Sequence, residues 1–291
     1  EEQTPKGSTF FVNNEHGILL AEDICEAVAC ADKVRFVSSG SEATFYAMRA
    51  ARTYRKRDKI LKFEGGFHGM NDYALMSMAP KRPGNFPQAQ PDSAGIPQKV
   101  QQEVLIAPFN DTDSAVALIR ENQEELAAVI VEAFQRLIPP APGFLEALRE
   151  VTEETGVVLI FDEVVTGFRF AYGGAQEYYG VVPDMCSLGK VVGGGYPLAA
   201  IAGNEAIMAH FDASRVKDDE FMQQIGTLSG NPFAAAAGRA TLRVLREPGA
   251  YDRLHATGRK LMEGITALLE KTGTKAQIVG EPPLFDVFFT E

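Results

Sequence analysis

Two hydrophobic patterns alternate along the chain. Short continuous apolar runs predict strands at 34–37, 59–63, 104–107, 127–131, 157–161, 184–188, 198–202 and 285–289. Between them, apolar residues recur every three or four positions. That spacing predicts helices at 18–31, 41–55, 113–121, 144–155, 204–211, 231–246 and 251–271. Residues 1–17 read as polar and irregular, and 80–98, rich in Pro, Gly, Asn and Gln, as a surface loop too long to be a bare connection. No internal repeat is evident. Fully apolar strands alternating with helices predict an α/β fold, with a mostly parallel central sheet covered by helices on both faces. Ligands of such sheets bind beyond the carboxyl ends of the strands. The residues that follow each apolar run are therefore the candidates for chemistry.

Composition narrows the picture. With 45% apolar and 23% charged residues the chain is globular rather than disordered. Lys and Arg total 28 against 39 Asp and Glu, a net charge of −11. That balance argues against nucleic acid and against an anionic membrane surface. No run approaches the roughly 20 apolar residues of a membrane span. Glu1-Glu2-Gln3-Thr4-Pro5 has neither the basic nor the apolar part of a signal peptide. Cys25, Cys30 and Cys186 are few and odd in number, which fits buried reduced thiols in a cytoplasmic protein and no metal site. The basic stretch 49–59 reads as a solvated helix end.

Four segments carry chemistry. Ser38-Ser39-Gly40-Ser41-Glu42-Ala43-Thr44 runs from strand to helix, with Ser41 as a candidate cap and free N–H groups suited to an anion. Asp162-Glu163 follows the most apolar strand. It resembles the acidic end of a Walker B strand, but Gly189-Lys190 is followed by Val191, so no P-loop accompanies it and an ATPase is disfavoured. In Ser187-Leu188-Gly189-Lys190-Val191-Val192-Gly193-Gly194-Gly195 a single lysine leaves a strand end, where desolvation would make its amine nucleophilic and able to form a Schiff base. Gly226-Thr227-Leu228-Ser229-Gly230-Asn231-Pro232 precedes an Ala-rich helix, with Asn231 a candidate cap and Thr227 a candidate anion contact. An anion cup, a carboxylate for a ring cation and an aldehyde-accepting lysine are the needs of pyridoxal 5′-phosphate.

With these motifs in order, the sequence resembles the class III (fold-type I) pyridoxal-phosphate-dependent aminotransferases, and is most similar to the branch containing glutamate-1-semialdehyde 2,1-aminomutase. The same resemblance rests on Phe63-Glu64-Gly65-Gly66-Phe67-His68-Gly69, on the run from Leu159 to Arg169 and on Gly173-Gly174-Ala175-Gln176-Glu177. It implies that Lys190 holds the cofactor as a Schiff base and shuttles a proton between substrate Cα and cofactor C4′. Asp162 would pair with the ring N–H. Gly40 and Ser41 would bind the phosphate, with Ser39 a further candidate in the cup. Phe67 would stack on one ring face and Val164 pack on the other. His68 would act directly or through a structural hydrogen bond, and Arg169 would be structural. Thr227 would reach the phosphate of a neighbouring subunit, which implies a homodimer or a higher homo-oligomer.

The expected activity is transfer of an amino group from a small amino acid or amine to an oxo acid or aldehyde. Aminomutase activity, a racemase-type reaction on the same fold and a truncated or non-catalytic cofactor-binding protein are the alternatives. Relatives carry Glu-Pro after the strand near 131 and a polar side chain directed at the cofactor's phenolic oxygen. Here Glu132-Ala133 stands there, which leaves Gln135 or Arg136 as the replacement, and Val165 occupies a position where many relatives have Gln. The expected organisation is a lead-in segment and helix over 1–33, a large cofactor domain over 34–245, and the incomplete start of a small C-terminal α+β domain over 246–291.

Overall fold

The computed structural model describes residues 2–9, 12–81 and 84–290. The expected lead-in, long loop and terminal segment include Glu1, Phe10, Phe11, Arg82, Pro83 and Glu291, which lie outside the described residues. Seven strands form one sheet: β1 (Lys33–Val37), β2 (Lys59–Phe63), β3 (Val104–Ala107), β4 (Leu126–Val131), β5 (Val158–Glu163), β6 (Met185–Leu188) and β7 (Ala199–Gly203). Their order is β1-β7-β6-β5-β4-β2-β3. Strands β3, β2, β4, β5 and β6 are mutually parallel. Strand β7 runs antiparallel to both β6 and β1.

The helices are α1 (Glu15–Ala27), α2 (Gly40–Arg55), α3 (Gln98–Gln102), α4 (Thr112–Asn122), α5 (Phe144–Thr155), α6 (Ala175–Tyr179), α7 (Glu205–Met208), α8 (Pro232–Leu245) and α9 (Ala250–Thr272). A separate antiparallel hairpin pairs β8 (Ala276–Glu281) with β9 (Leu284–Phe289).

The continuous apolar runs exist because both sheet faces are covered. Along β5, Val158 and Ile160 join the cluster that includes Ala43, Ala47, Ala50 and Ala51 of α2. Leu159 and Phe161 join the opposite cluster, with Leu20 and Ile24 of α1, Phe144 and Leu148 of α5, and Ala234 and Leu242 of α8. Side chains alternate across a strand, so each residue from Val158 to Phe161 meets one core or the other.

Several boundaries differ from the sequence pattern. Helix α1 starts at Glu15 because the Asn14 side chain caps Gly17 N at 2.9 Å, and it stops at Ala27 because Val28 is extended. Helix α2 is capped by Ser39 rather than Ser41: Ser39 Oγ accepts from Glu42 N at 3.3 Å. Glu42 Oε2 in turn accepts from Ser38 N and from the Ser39 hydroxyl, both at 3.0 Å, completing a capping box. Strand β5 continues through Asp162 and Glu163, so both carboxylates belong to the strand. Only Glu205–Met208 of the expected 204–211 helix is α-helical, and Ala209–Phe211 continues as a 3-10 turn. Helices α3 and α6 and strand β8 had no clear periodicity in the sequence.

Lys190–Gly193 forms a 3-10 turn pressed against α8, and a β carbon on Gly238 would overlap the Val192 carbonyl. Gly238→Ala is therefore expected to destabilise the fold by about 1–3 kcal/mol. Urea unfolding of the two proteins checks this, and an unchanged midpoint would show that the turn yields freely.

Candidate active site

A cavity of about 300 Å³ opens at the carboxyl ends of β4, β5 and β6, against the N-terminus of α2. Ser39, Gly40 and Ser41 form one wall, Phe67 and Gly69 another, and Asp162, Val164 and Lys190 complete it. The structure thus brings eight of the sequence-predicted residues and motif positions to one place.

Asp162 lies at the base, 5% exposed. Its Oδ1 accepts from Val164 N at 3.1 Å and from Ser187 Oγ at 2.9 Å. Its Oδ2 lies 2.8 Å from His68 Nδ1. Burial pushes the His68 pKa down, against the pull of the Asp162 hydrogen bond and charge. A neutral His68 must carry its proton on Nδ1 to donate to the carboxylate. His68 therefore sits behind Asp162, outside the cavity wall.

Lys190 follows extended Gly189 and has a φ of 48°. Its side chain is reached by solvent from the cavity. Surrounding protein still lowers its pKa through burial, with the Asp162 charge opposing the shift and Arg169 reinforcing it. The net lowering favours a larger free-amine fraction than an ordinary surface lysine has.

The α2 end is built for close approach. A β carbon on Gly40 would stand 2.8 Å from Val164 Cγ1, so only glycine lets the helix start against that wall. Gly69, at φ 88°, packs on Ser41 where a β carbon would come within 2.6 Å of Ser41 Cα. Ser41 Oγ accepts from Met70 N at 3.2 Å. Glu42 N is taken by Ser39, while no acceptor among the described residues takes the N–H groups of Gly40 or Ser41. Two free donors at a helix N-terminus form an anion site.

Gln135 and Arg136 do not reach the cavity wall. Gln135 Nε2 donates to Glu64 O at 2.8 Å, and Arg136 Nε donates to Gly65 O at 3.1 Å. The Arg136 guanidinium instead stands 5.3 Å from the centre of the Phe67 ring. Both bonds hold the loop that carries Phe67. Thr227 is also outside the cavity; with Asn13, Arg35 and Ile225 it lines a separate surface groove. Arg169 donates from Nε to Val165 O at 2.8 Å and has no place in the wall.

Glu163, fully buried, accepts from Thr166 Oγ1, Ala175 N and the backbone and side chain of Gln176, and so fastens the turn after β5. The sequence reading gave no role to Glu132, Thr44, Ser187 or Tyr196. Glu132, Thr44 and Tyr196 line the cavity, and Ser187 holds Asp162. Glu132 carried the same signal as Asp162, a carboxylate at the end of an apolar strand. Ser187 carried none, because its role depends on pairing opposite Asp162 in the sheet.

A buried carboxylate, a lysine on a strained turn and free N–H groups at a helix start line one cavity, in the fold of the fold-type I pyridoxal-phosphate transferases. The chain belongs to the class III aminotransferases: residues 3–285 match the family described as "Aminotransferase class-III". Relatives named glutamate-1-semialdehyde 2,1-aminomutase include those of Methanosphaera stadtmanae, 41% identical over 293 residues, and Methanothermobacter thermautotrophicus, 43% identical over 292 residues. These alignments cover 100% and 99% of this chain and 67% of each relative, so the chain spans about two thirds of their length. Among solved structures, an omega-transaminase from Sphaerobacter thermophilus superposes with a TM-score of 0.93 at 39% identity, covering 100% of this chain and 67% of that one. A glutamate-1-semialdehyde aminomutase from Pseudomonas aeruginosa gives 0.82 at 26% identity, covering 99% and 64%.

Burial, reinforced by the Asp162 charge, pushes the Glu132 carboxyl up to about 7. A folded pKa raised above the usual 4.5 gives a contribution to stability that is complete below about 4.5 and is lost as pH rises through about 7. Glu132→Gln should therefore gain stability relative to the parent across that window, by up to about 3 kcal/mol. Urea unfolding at the two ends of the window checks it, and a difference independent of pH would contradict a buried ionisable Glu132.

Proposed function

We propose that the protein binds pyridoxal 5′-phosphate in this cavity and transfers an amino group from a small amino donor to an oxo acid or aldehyde. The observation that carries the reading is the convergence of Lys190, Asp162 and the free N–H groups of Gly40 and Ser41 on one cavity. Those residues fit the group: donors for a dianionic phosphate, a hydrogen-bonded carboxylate for a ring N–H, and an amine for an aldehyde.

When bound, the cofactor supplies an aldehyde that condenses with amines and a ring that accepts electron density from the adjacent carbon. Gly40 and Ser41 anchor the phosphate, with Ser39 fixing the helix start that presents them. Phe67 and Val164 confine the ring between them. Asp162 would keep the proton on the ring nitrogen, with His68 and Ser187 holding its carboxyl group in place. Lys190 Nζ would be the amine that holds the cofactor's aldehyde and, when free, the base that moves the proton of the substrate α carbon. Thr227, absent from this chain's cavity, is left to act on the cavity of a second subunit, in a homodimer or larger homo-oligomer.

A second reading, intramolecular amino transfer, is favoured by the aminomutase names of the relatives at 41–43% identity. The two readings part on one assay. An aminomutase isomerises glutamate-1-semialdehyde with no second substrate, whereas a transaminase needs both donor and acceptor.

Borohydride reduction of the cofactor-loaded protein followed by peptide mapping tests the central assignment. The cofactor mass should appear on the peptide containing Lys190 and vanish in Lys190→Ala. An adduct on another lysine in the variant would overturn it.

A further inference from the structure

Lys62 is an ionisable group that the chemistry above leaves unused. It lies on β2, 1% exposed, and forms no ion pair among the described residues. Its ammonium donates to the carbonyls of Gly66 at 3.0 Å, Ala74 at 3.1 Å and Met76. Three donors meet three acceptors, so the cation is fully satisfied although no carboxylate touches it. Burial pulls the ammonium down to about 7, against the opposing charges of Asp92 and Glu132. All three acceptors belong to the segment between β2 and residue 76, which carries Phe67, His68 and Gly69.

Glu132 grips the same segment from the other side, as a hydrogen-bond acceptor. Its Oε2 accepts from Phe67 N at 2.9 Å. The Gly66 carbonyl and the Phe67 N–H are the two polar ends of one peptide group. That group is thus held by a buried ammonium at its oxygen and by a buried carboxyl at its nitrogen, matching both ends of the peptide dipole. A flipped peptide would turn its carbonyl toward Glu132 and its N–H toward Lys62, which is unfavourable at both ends. The preceding residues make such a device necessary. Gly65 sits at φ 82° and Gly66 follows it, so the local backbone has little stiffness of its own. Thr44 Oγ1 donates to His68 O at 2.6 Å and fixes the carbonyl two residues on.

We propose that Lys62 and Glu132 act together as a clamp on the Gly66–Phe67 peptide, and that this clamp sets the direction in which the Phe67 ring leaves the loop and faces the cofactor. They are positioning residues: Lys62 acts through the loop, and Glu132 through the Phe67 amide. The second half of the inference rests on the cofactor reading above; the first half does not.

The test compares Lys62→Met, Glu132→Leu and Glu132→Gln with the parent. Hydrogen exchange of the apo proteins reads the clamp without cofactor. Lys62→Met and Glu132→Leu should speed exchange of the Phe67 amide by about tenfold or more, while Glu132→Gln, which keeps the acceptor, should stay close to the parent. Pyridoxal 5′-phosphate titration then reads the ring platform. The first two variants should bind about tenfold more weakly and show an altered circular dichroism of the cofactor band, with Glu132→Gln again close to the parent. Parent-like exchange and dichroism in Lys62→Met would overturn the clamp. Where Lys62→Met fails to fold, equal behaviour of Glu132→Leu and Glu132→Gln would overturn it instead. Failure of the parent to bind the cofactor would overturn the functional reading and leave the exchange result to decide the clamp.

Discussion

Asp162 is the constraint on which the site depends. A carboxylate 5% exposed at the end of a central strand costs several kcal/mol to desolvate unless donors surround it. Its three donors come from three places: Val164 N just beyond it on the chain, Ser187 Oγ on β6, and His68 Nδ1 on the loop after β2. The parallel register that places Asp162 opposite Ser187 is thereby tied to the chemistry, since a slip of one residue would turn Ser187 to the other face. The loop after β2 is tied to it as well, because His68 reaches the carboxylate only when that loop folds back over the sheet.

The same loop answers to charges at both ends. His68 fastens it to Asp162, Thr44 to α2, and Lys62 and Glu132 to the strands on either side. Close packing does the rest. Gly69 admits the loop against Ser41, and Gly40 admits the helix start against Val164. The anion cup, the aromatic wall and the carboxylate base are therefore one packed unit, and Lys190 enters it from a turn braced by α8.

Much of this was legible in the sequence, for definite reasons. Both sheet faces are buried, so the strands are unbroken apolar runs, and the alternation with helices gave the parallel architecture. Asp162, Lys190 and the Ser39–Ser41 turn stood out because each ends an apolar run. What escaped depends on pairing in space. Ser187 matters only through its sheet partner. Lys62 sits inside a predicted strand, and nothing in the sequence shows the three carbonyls that receive its ammonium. The cap at Ser39 rather than Ser41 was decided by the Glu42 side chain reaching back to Ser38 and Ser39. The sequence points to Gln135 or Arg136 as the polar group near the cofactor's phenolic oxygen, whereas Gln135 Nε2 and Arg136 Nε bond the carbonyls of Glu64 and Gly65.

The visible absorption spectrum of the purified protein with pyridoxal 5′-phosphate, before and after addition of a panel of amines and amino acids, tests the account most directly. The account predicts a band from the lysine-bound cofactor that is bleached by at least one amino donor and restored by an oxo acceptor. A protein that develops no such band, with the Lys190 and Asp162 cavity intact, would contradict it.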